Sequence, residues 1–97
     1  MNTAFQSVVD MGKGLGNSNR YAILQSLMAK EKTVGAIAAE LELSQPVVSQ
    51  HLKVLKSLNL VIDTRNGNEV QYAVHAEHMF DLLVSLSEEI KNCKKCS

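Results

Sequence analysis

The stretch that decides the fold is "SQPVVSQHLKVLKSLNLV", which covers residues 44–61. Its apolar residues recur at intervals of three and four, and that period predicts an amphipathic helix. At about 100° per residue, Val48, Leu52 and Leu55 fall on one side of this helix and are expected to face the core. The helix should stop at Asn59, because asparagine tolerates the left-handed conformation needed just past a helix end.

A shorter helix precedes this one. The sequence "KEKTVGAIAAELEL", residues 30–43, predicts it, with Thr33 as the N-cap. Ser44 is expected to cap the longer helix, and Pro46 lies in its first turn, where a missing backbone N–H is tolerated. A short helix, a tight turn and a longer helix form a helix-turn-helix pattern.

Elements on both sides of this unit complete the predicted fold. Helices are expected over about residues 2–11 and again from Asn17 onward. Downstream, Asn66-Gly67 favours a tight hairpin turn between two short strands. A last helix should span about residues 76–92. The expected fold is therefore mainly α with a small β-hairpin, in the order α-α-α-α-β-β-α.

Length and composition limit the classes of protein to consider. The chain has 97 residues, of which 45% are hydrophobic and 21% charged, which is typical of one globular domain over residues 1–97. No apolar run approaches the roughly 18 residues of a membrane span, and the N-terminus lacks a signal-peptide layout, so we expect a cytoplasmic protein with no membrane partner. Ten basic and ten acidic residues cancel, so the net charge neither favours nor excludes a nucleic-acid partner.

The polar side of the longer helix favours that partner, because no carboxylate occurs between Ser44 and Ile62. Amides and lysines can bridge base edges in the major groove, and serines and lysines can bind phosphates. The unpaired N–H groups of the first turn also favour an anion. The alternative is a solvated helix face, but such a face usually mixes glutamate with lysine. The candidate contacts on this helix are Ser44, Gln45, Pro46, Ser49, Gln50, Lys53 and Lys56.

Three stretches resemble the ArsR/SmtB family of dimeric winged-helix bacterial repressors. They are "LGNSNRYAIL" at residues 15–24, "TVGAIAAELELSQPVVSQHLKVLKSLNLV" at residues 33–61 and "TRNGNEVQYAV" at residues 64–74. The resemblance covers about residues 15–75, and its most specific part runs from Ser44 to Leu55. The family usually has glycine at position 59 and proline at position 18, but asparagine at 59 keeps the left-handed option open.

The resemblance implies a winged helix-turn-helix that binds double-stranded DNA. Residues 44–58 would form the recognition helix and residues 60–74 the wing. A two-fold dimer would place two recognition helices about one DNA turn apart, on an imperfect palindrome. The wing tip would lie beside the neighbouring minor groove or backbone through Arg65, Asn66 and Asn68.

A dimer is also expected from the last helix. Its seven-residue alternation suits a seam between helices, although the same residues could instead pack on the chain's own core. A chain this small gains from a second copy that covers more apolar surface. The resemblance implies that the first helix joins the interface, so the candidate residues are Phe5, Val8, Met79, Leu83, Leu86 and Ile90.

The resemblance also implies a signal that releases the DNA, either a metal ion or a thiol oxidant. The family's thiolate metal motif precedes the recognition helix, where this chain reads "EKTVGAI" and offers no cysteine, so that site is absent. A second family site lies on the final helices, and its matching positions keep only His78 and Glu89. His75 and Cys93 lie one turn from these two and would complete a zinc-type site across the dimer; the alternative is a set of solvated residues.

The last residues offer a second candidate sensor. Cys93 and Cys96 lie among Lys91, Lys94 and Lys95, whose charges favour the reactive thiolate. Disulfide formation, persulfide chemistry or soft-metal binding would then be available; the alternative is an unstructured tail with incidental cysteines. No cofactor is required in this interpretation, and zinc or another thiophilic metal would act only as an inducer.

The sequence therefore predicts a homodimeric transcriptional repressor that a metal ion or a thiol-reactive signal releases from DNA. The alternative is a winged-helix DNA-binding protein without a small-molecule inducer, regulated by its level or by a protein partner. An enzyme is not expected. The cysteine pair does not open a helix after a strand, as redox motifs do, and neither a Ser-His-Asp spacing nor a cofactor loop is evident.

Overall fold

The computed structural model of the chain describes residues 3–92, with side chains from residue 8 onward. The expected order of helices and hairpin is confirmed, with one short strand added before the third helix. The elements are α1 (Thr3–Leu15), α2 (Ser18–Ala29), β1 (Lys32–Thr33), α3 (Val34–Leu41), α4 (Gln45–Ser57), β2 (Val61–Asn66), β3 (Glu69–Val74) and α5 (Ala76–Lys91). Within the described residues, no helix is long and apolar enough to cross a membrane.

Side-chain caps start three of the helices. Asn17 Oδ1 accepts hydrogen bonds from two backbone N–H groups at the start of α2, at 3.0 and 3.1 Å. Thr33 Oγ1 accepts from the Ala36 N–H at 3.2 Å, and Ser44 Oγ accepts from the Val47 N–H at 3.3 Å. Each cap satisfies N–H groups that a first helical turn leaves unpaired, so short polar residues set these boundaries locally.

The end of α4 is set by a left-handed residue. Asn59 has φ 62°, as the sequence predicts, and the Leu60 N–H donates to the Leu55 carbonyl at 3.0 Å. This turn drives Leu60 and Val61 into the core, where they are 0% and 2% exposed. The chain leaves the helix directly into β2, so the wing starts at a fixed angle to α4.

The three strands form an antiparallel sheet in the order β1-β3-β2. In the hairpin, Asn66 pairs with Glu69, so the two-residue loop is Gly67–Asn68. The sequence predicted the hairpin correctly but centred its turn one residue too early. Gly67 has φ +66° while Asn68 keeps a negative φ, which are the signs of a type II′ turn that opens on glycine.

The first strand has only two residues and had no sequence signal of its own. Lys32 lies opposite Tyr72, and Thr33 lies opposite Gln71. Pairing with β3 covers one edge of the hairpin and ties it to the start of α3. A two-stranded hairpin is marginal by itself, so this third strand helps to hold the wing on the helices.

The core lies between the helices and the base of the wing. All three apolar residues predicted to face inward from α4 belong to it. The buried hydrophobic residues are Met11, Ile23, Leu24, Leu27, Ile37, Ala38, Val48, Leu52, Leu55, Leu60, Val61, Met79 and Leu82. One continuous cluster therefore joins α4 to every other helix and to β2.

The first helix runs four residues beyond its expected end at about residue 11. Its last turns include Gly12 and Gly14. Gly14 is buried, and a Cβ on it would overlap the side chain of Leu60 and lie 3.4 Å from Leu55 Cδ2. Glycine is needed there because α1 approaches the end of α4 closely.

The last helix divides its apolar residues between two sides. Met79 and Leu82 are buried in the chain's own core, at 8% and 6% exposure. Met79 has to be removed from the expected dimer interface, because its side chain is already buried within one chain. The apolar side left open carries Phe80, Leu83, Val84 and Ile90, which are 39–65% exposed.

Candidate nucleic-acid interface

The buried side of α4 holds the helix rigidly in place. Val48, Leu52 and Leu55 are 0%, 1% and 0% exposed, and they sit in the central hydrophobic cluster. Because protein cores are closely packed, these buried side chains leave the helix little freedom to rotate or slide. The residues on its opposite side therefore have a defined direction.

The opposite side is open to solvent and polar. The structure brings together on it every sequence-predicted contact of this helix, and all of them are exposed: Ser44, Gln45, Pro46, Ser49, Gln50, Lys53 and Lys56. This set is called the α4 face below. Its amides and hydroxyls can both donate and accept hydrogen bonds, which is the chemistry that reads base edges in a groove.

The two lysines of the α4 face differ in their surroundings. Lys56 Nζ lies 3.0 Å from Asp63 Oδ2 on β2, in an ion pair that is partly exposed on both sides. Among the described residues, no carboxylate pairs with Lys53. Lys53 therefore presents its full charge to solvent, whereas the charge of Lys56 is partly balanced within the chain.

The first glutamine of the helix leans toward α3. Its amide nitrogen, Gln45 Nε2, lies 3.6 Å from the position that a Cβ on Gly35 would occupy. Because glycine leaves this space free, the amide can rest over the start of α3 without a clash. Gln50 lies more than one turn further along, so the two glutamines present their amides at different places on the α4 face.

The wing carries its predicted contacts at its far end. Arg65, Asn66 and Asn68 are exposed at and beside the Gly67–Asn68 turn. Glu31, which sequence reasoning did not consider, shares a small open cavity with Arg65 and Asn66. A carboxylate near the wing tip limits how positive this end of the molecule can be.

Sequence reasoning also missed Val47. It is 39% exposed in the first turn of α4, next to the buried Val48. The signal was present, because successive residues of a helix point about 100° apart, so two adjacent valines cannot both face the core. Val47 is therefore an exposed aliphatic side chain in the first turn of α4, beside the α4 face.

The candidate sensor residues within the described part of the chain, His75, His78 and Glu89, lie at the N-cap of α5 and along this helix. His75 and His78 have ring centroids 5.3 Å apart in a stacked arrangement. His75 Nδ1 also lies 3.2 Å from the backbone oxygen of Asn59, directly after α4. Glu89 lies eleven residues beyond His78 on the same helix, roughly 16 Å along its axis, so one chain does not bring these residues together.

A metal ion does not fit the described part of one chain. Within those residues, no three His, Cys, Asp or Glu side chains lie close enough together to hold one. The remaining predicted sensor residues, Cys93 and Cys96, lie outside the described residues, as does the side chain of Phe5 at the expected interface.

Comparisons with known proteins identify the family. A sequence model described as "Bacterial regulatory protein, arsR family" matches residues 17–63, from the cap of α2 into β2. HlyU from Vibrio cholerae N16961 superposes with a TM-score of 0.72 at 32% identity, which covers 89% of this chain and 97% of HlyU. The chain belongs to the ArsR family. This is a family of regulatory proteins rather than enzymes, as the sequence predicted.

Two further proteins are similar to the chain. The homodimeric winged helix-turn-helix DNA-binding domain of a Mycobacterium bovis protein matches with a TM-score of 0.72 at 32% identity, covering 88% of this chain and 82% of that domain. The transcriptional repressor SmtB from Mycobacterium tuberculosis is 35% identical over 65 residues, which are 67% of this chain and 48% of SmtB. The chain spans about half to two thirds of the length of the curated relatives that it matches, from 48% of SmtB to 68% of the regulator CmtR from Mycobacterium bovis.

Proposed function

We propose that this ArsR-family chain binds double-stranded DNA in the cytoplasm, as a homodimer, and represses transcription from a palindromic operator. One observation carries the proposal: α4 is fixed by fully buried residues on one side and carries no acid on the other. A solvated helix face is not destabilised by carboxylates. On a helix that enters the major groove, carboxylates would be repelled by the negatively charged phosphates.

The net charge of α4 and the wing predicts only a modest electrostatic attraction to the DNA phosphates. Residues 44–72 carry Lys53, Lys56 and Arg65 against Asp63 and Glu69, a net charge of +1. The ion pair of Lys56 lowers the free positive charge further. Each subunit would then make few phosphate contacts, and base-edge contacts from the α4 face would supply much of the specificity.

The exposed apolar side of α5 supports binding as a dimer, and a two-fold dimer is expected to bind a palindromic site. The open side of α5, with Phe80, Leu83, Val84 and Ile90, is an apolar surface that a partner helix can cover. The homodimeric relative from Mycobacterium bovis supports the same arrangement. Two copies related by a two-fold axis would read two half-sites about 34 Å apart.

The test starts from duplexes that the protein itself enriches from a randomised pool. On the enriched duplex, Gln50→Ala should weaken binding by about fivefold to 150-fold per half-site, because a bidentate amide contact to a base contributes roughly 1–3 kcal/mol. Lys53→Ala should weaken it less and lower the salt slope by about 0.9 per subunit. Fluorescence anisotropy measures both.

Gln25→Ala is the matched control, since Gln25 is an exposed glutamine of α2. It should leave DNA affinity unchanged. If Gln50→Ala and Lys53→Ala bind the enriched duplex as tightly as the unaltered protein does, α4 is not the reading element. A protein that enriches no duplex would contradict DNA binding itself.

Release of the DNA by a signal is the finer part of the proposal. The stacked imidazoles of His75 and His78 support a metal-type inducer only if a second copy adds ligands such as Glu89 or Cys93. Cys93 and Cys96, flanked by lysines, support a thiol-reactive signal. The reduced protein on its enriched duplex should be titrated with zinc and cadmium, and separately with peroxide and with an organic polysulfide, which transfers a sulfane sulfur to a cysteine thiolate and leaves as the shorter thiolate.

Two sets of variants separate these signals. Loss of the response in His78→Ala alone assigns it to α5, and loss in Cys93→Ser/Cys96→Ser alone assigns it to the cysteine pair. If neither metal nor oxidant changes the affinity of the unaltered protein, the second candidate function holds. The chain is then a DNA-binding regulator controlled by its level or by a protein partner.

A further inference from the structure

Beside the α4 face, the first turn of α4 carries one exposed branched aliphatic side chain that the polar contacts leave unexplained. Val47 is 39% exposed, whereas the neighbouring Val48 is 0% exposed. Val47 lies in the first turn of α4, and Gln50 follows it by one turn on the same side of the helix. An apolar group beside an amide at the leading end of a reading helix can pack against an apolar group on the DNA.

Local structure fixes where this side chain points. Val47 donates its backbone N–H to Ser44 Oγ at 3.3 Å, so it belongs to the capped turn. A β-branched residue in a helix strongly prefers a single χ1 rotamer, so its two methyl groups are held in place. The side chain is therefore ordered before DNA binds and loses little rotamer entropy on contact.

We infer that Val47 reads thymine, by packing its methyl groups against the 5-methyl group of one thymine in each half-site. This inference rests on the proposed binding of α4 in the major groove. The 5-methyl group of thymine is the apolar feature that a base pair presents in the major groove. The apolar Val47 side chain matches this methyl group, whereas the polar Gln50 matches hydrogen-bonding atoms. Gln50 would read an adjacent adenine edge, so the two residues together select an A·T-containing step.

Uracil substitution tests the inference, because deoxyuridine removes only the 5-methyl group and keeps every hydrogen-bonding atom. On the enriched duplex, thymines are replaced by uracil one symmetric pair at a time. Binding of the unaltered protein should weaken about fourfold per half-site at one position, or roughly fifteenfold for the symmetric pair, as expected for one buried methyl group. The other thymines should respond less.

The Val47→Ala variant removes the same contact from the protein side. This variant should bind the thymine duplex more weakly by a similar factor and should no longer respond to uracil at the sensitive position. Val47→Ile keeps the methyl contact and should keep that response. Circular dichroism and thermal melting should confirm an unchanged fold, since Val47 is exposed and alanine favours a helix.

The outcomes separate the inference from the proposed function. If the unaltered protein ignores every uracil, or if Val47→Ala keeps the same uracil response at each position, the contact with thymine is absent and the inference is overturned. DNA binding itself would still stand in both cases. If no duplex is enriched at all, the proposed function fails and the inference fails with it.

Discussion

Lys56 of α4 and Asp63 of β2 form an ion pair, with Nζ 3.0 Å from Oδ2. The pair joins the helix that faces DNA in our proposal to the first strand of the wing. The two side chains are 54% and 32% exposed, so the pair contributes at most about 1 kcal/mol to stability. Its larger effect concerns the charge that α4 offers to phosphates.

The first prediction follows from this pair. Asp63→Asn should free Lys56 and strengthen DNA binding at low salt, since the lysine no longer has a carboxylate within reach. The slope of log affinity against log salt should steepen by about 0.9 per subunit, the value for one added phosphate contact. Anisotropy titrations at several salt concentrations measure this slope.

The control for that experiment is Asp81→Asn, which removes an exposed carboxylate from α5. It changes the net charge by the same amount but leaves the ion pair intact. Equal slopes for the two variants would mean that only the total charge matters. In the double variant Lys56→Ala/Asp63→Asn, the added slope should disappear.

The second prediction concerns a cluster around Lys32. Its Nζ donates to the Ser26 carbonyl at 2.7 Å, to Ser26 Oγ at 2.8 Å and to Glu40 Oε1 at 2.7 Å. The hydrogen bond from Lys32 is the main reason that the pKa of Glu40 lies below its ordinary 4.5, and Ser26 adds to the effect. This cluster ties α2, β1 and α3 together.

A lowered pKa means that the ionised Glu40 stabilises the fold. That stability is present above the unfolded pKa of 4.5 and is lost as the pH falls through the lower folded value. Glu40→Gln should therefore melt at a lower temperature than the unaltered protein at pH 7, and the difference should close in acid. Glu88→Gln, which removes an exposed α5 carboxylate, is the matched control for the loss of one negative charge.

The third prediction compares two glycines of the same helix. Gly14→Ala should lower the free energy of unfolding by about 1–3 kcal/mol, because the new Cβ overlaps the fully buried Leu60. Gly12→Ala meets nothing within 4 Å and should raise it by about 0.5–1 kcal/mol through better helix propensity. Urea denaturation measures both. Effects of the same sign would show that α1 does not pack as described.

The fourth prediction separates the two sides of α5. Leu83→Glu, at a side chain 53% exposed, should convert the proposed dimer to a folded monomer in sedimentation and weaken operator binding. Met79→Ala should instead lower the free energy of unfolding by about 2–5 kcal/mol, since it opens a cavity in the core. Ser85→Glu is the control on the same helix. A dimer that survives Leu83→Glu would place the interface elsewhere.

Much of the fold could be predicted from the sequence because its signals are local. Thr33 and Ser44 cap the helices that follow them, and Asn59 takes the left-handed conformation after α4. Each of these features depends on a side chain and a backbone within a few residues. The buried stripe of α4 was predictable for the same reason, since it needs only the helical period.

The features that the sequence did not predict join distant residues. β1 exists only through its pairing with β3, about 40 residues later in the chain. Lys56 was predicted as a phosphate contact, and its partner Asp63 depends on the angle at which β2 leaves α4. Val47 and the two sides of α5 were unclear, because periodicity orders side chains around a helix but does not state which side a neighbour covers.

The sequence by itself determined the helices, their caps, the hairpin and the carboxylate-free side of α4. These follow from short-range hydrogen bonding and from the period of apolar residues. Only the tertiary structure decided that Met79 belongs to the core while Leu83 stays open, and that, among the described residues, Lys56 has a carboxylate partner while Lys53 has none. Burial and ion pairing depend on which surfaces meet, and chain neighbours do not specify that.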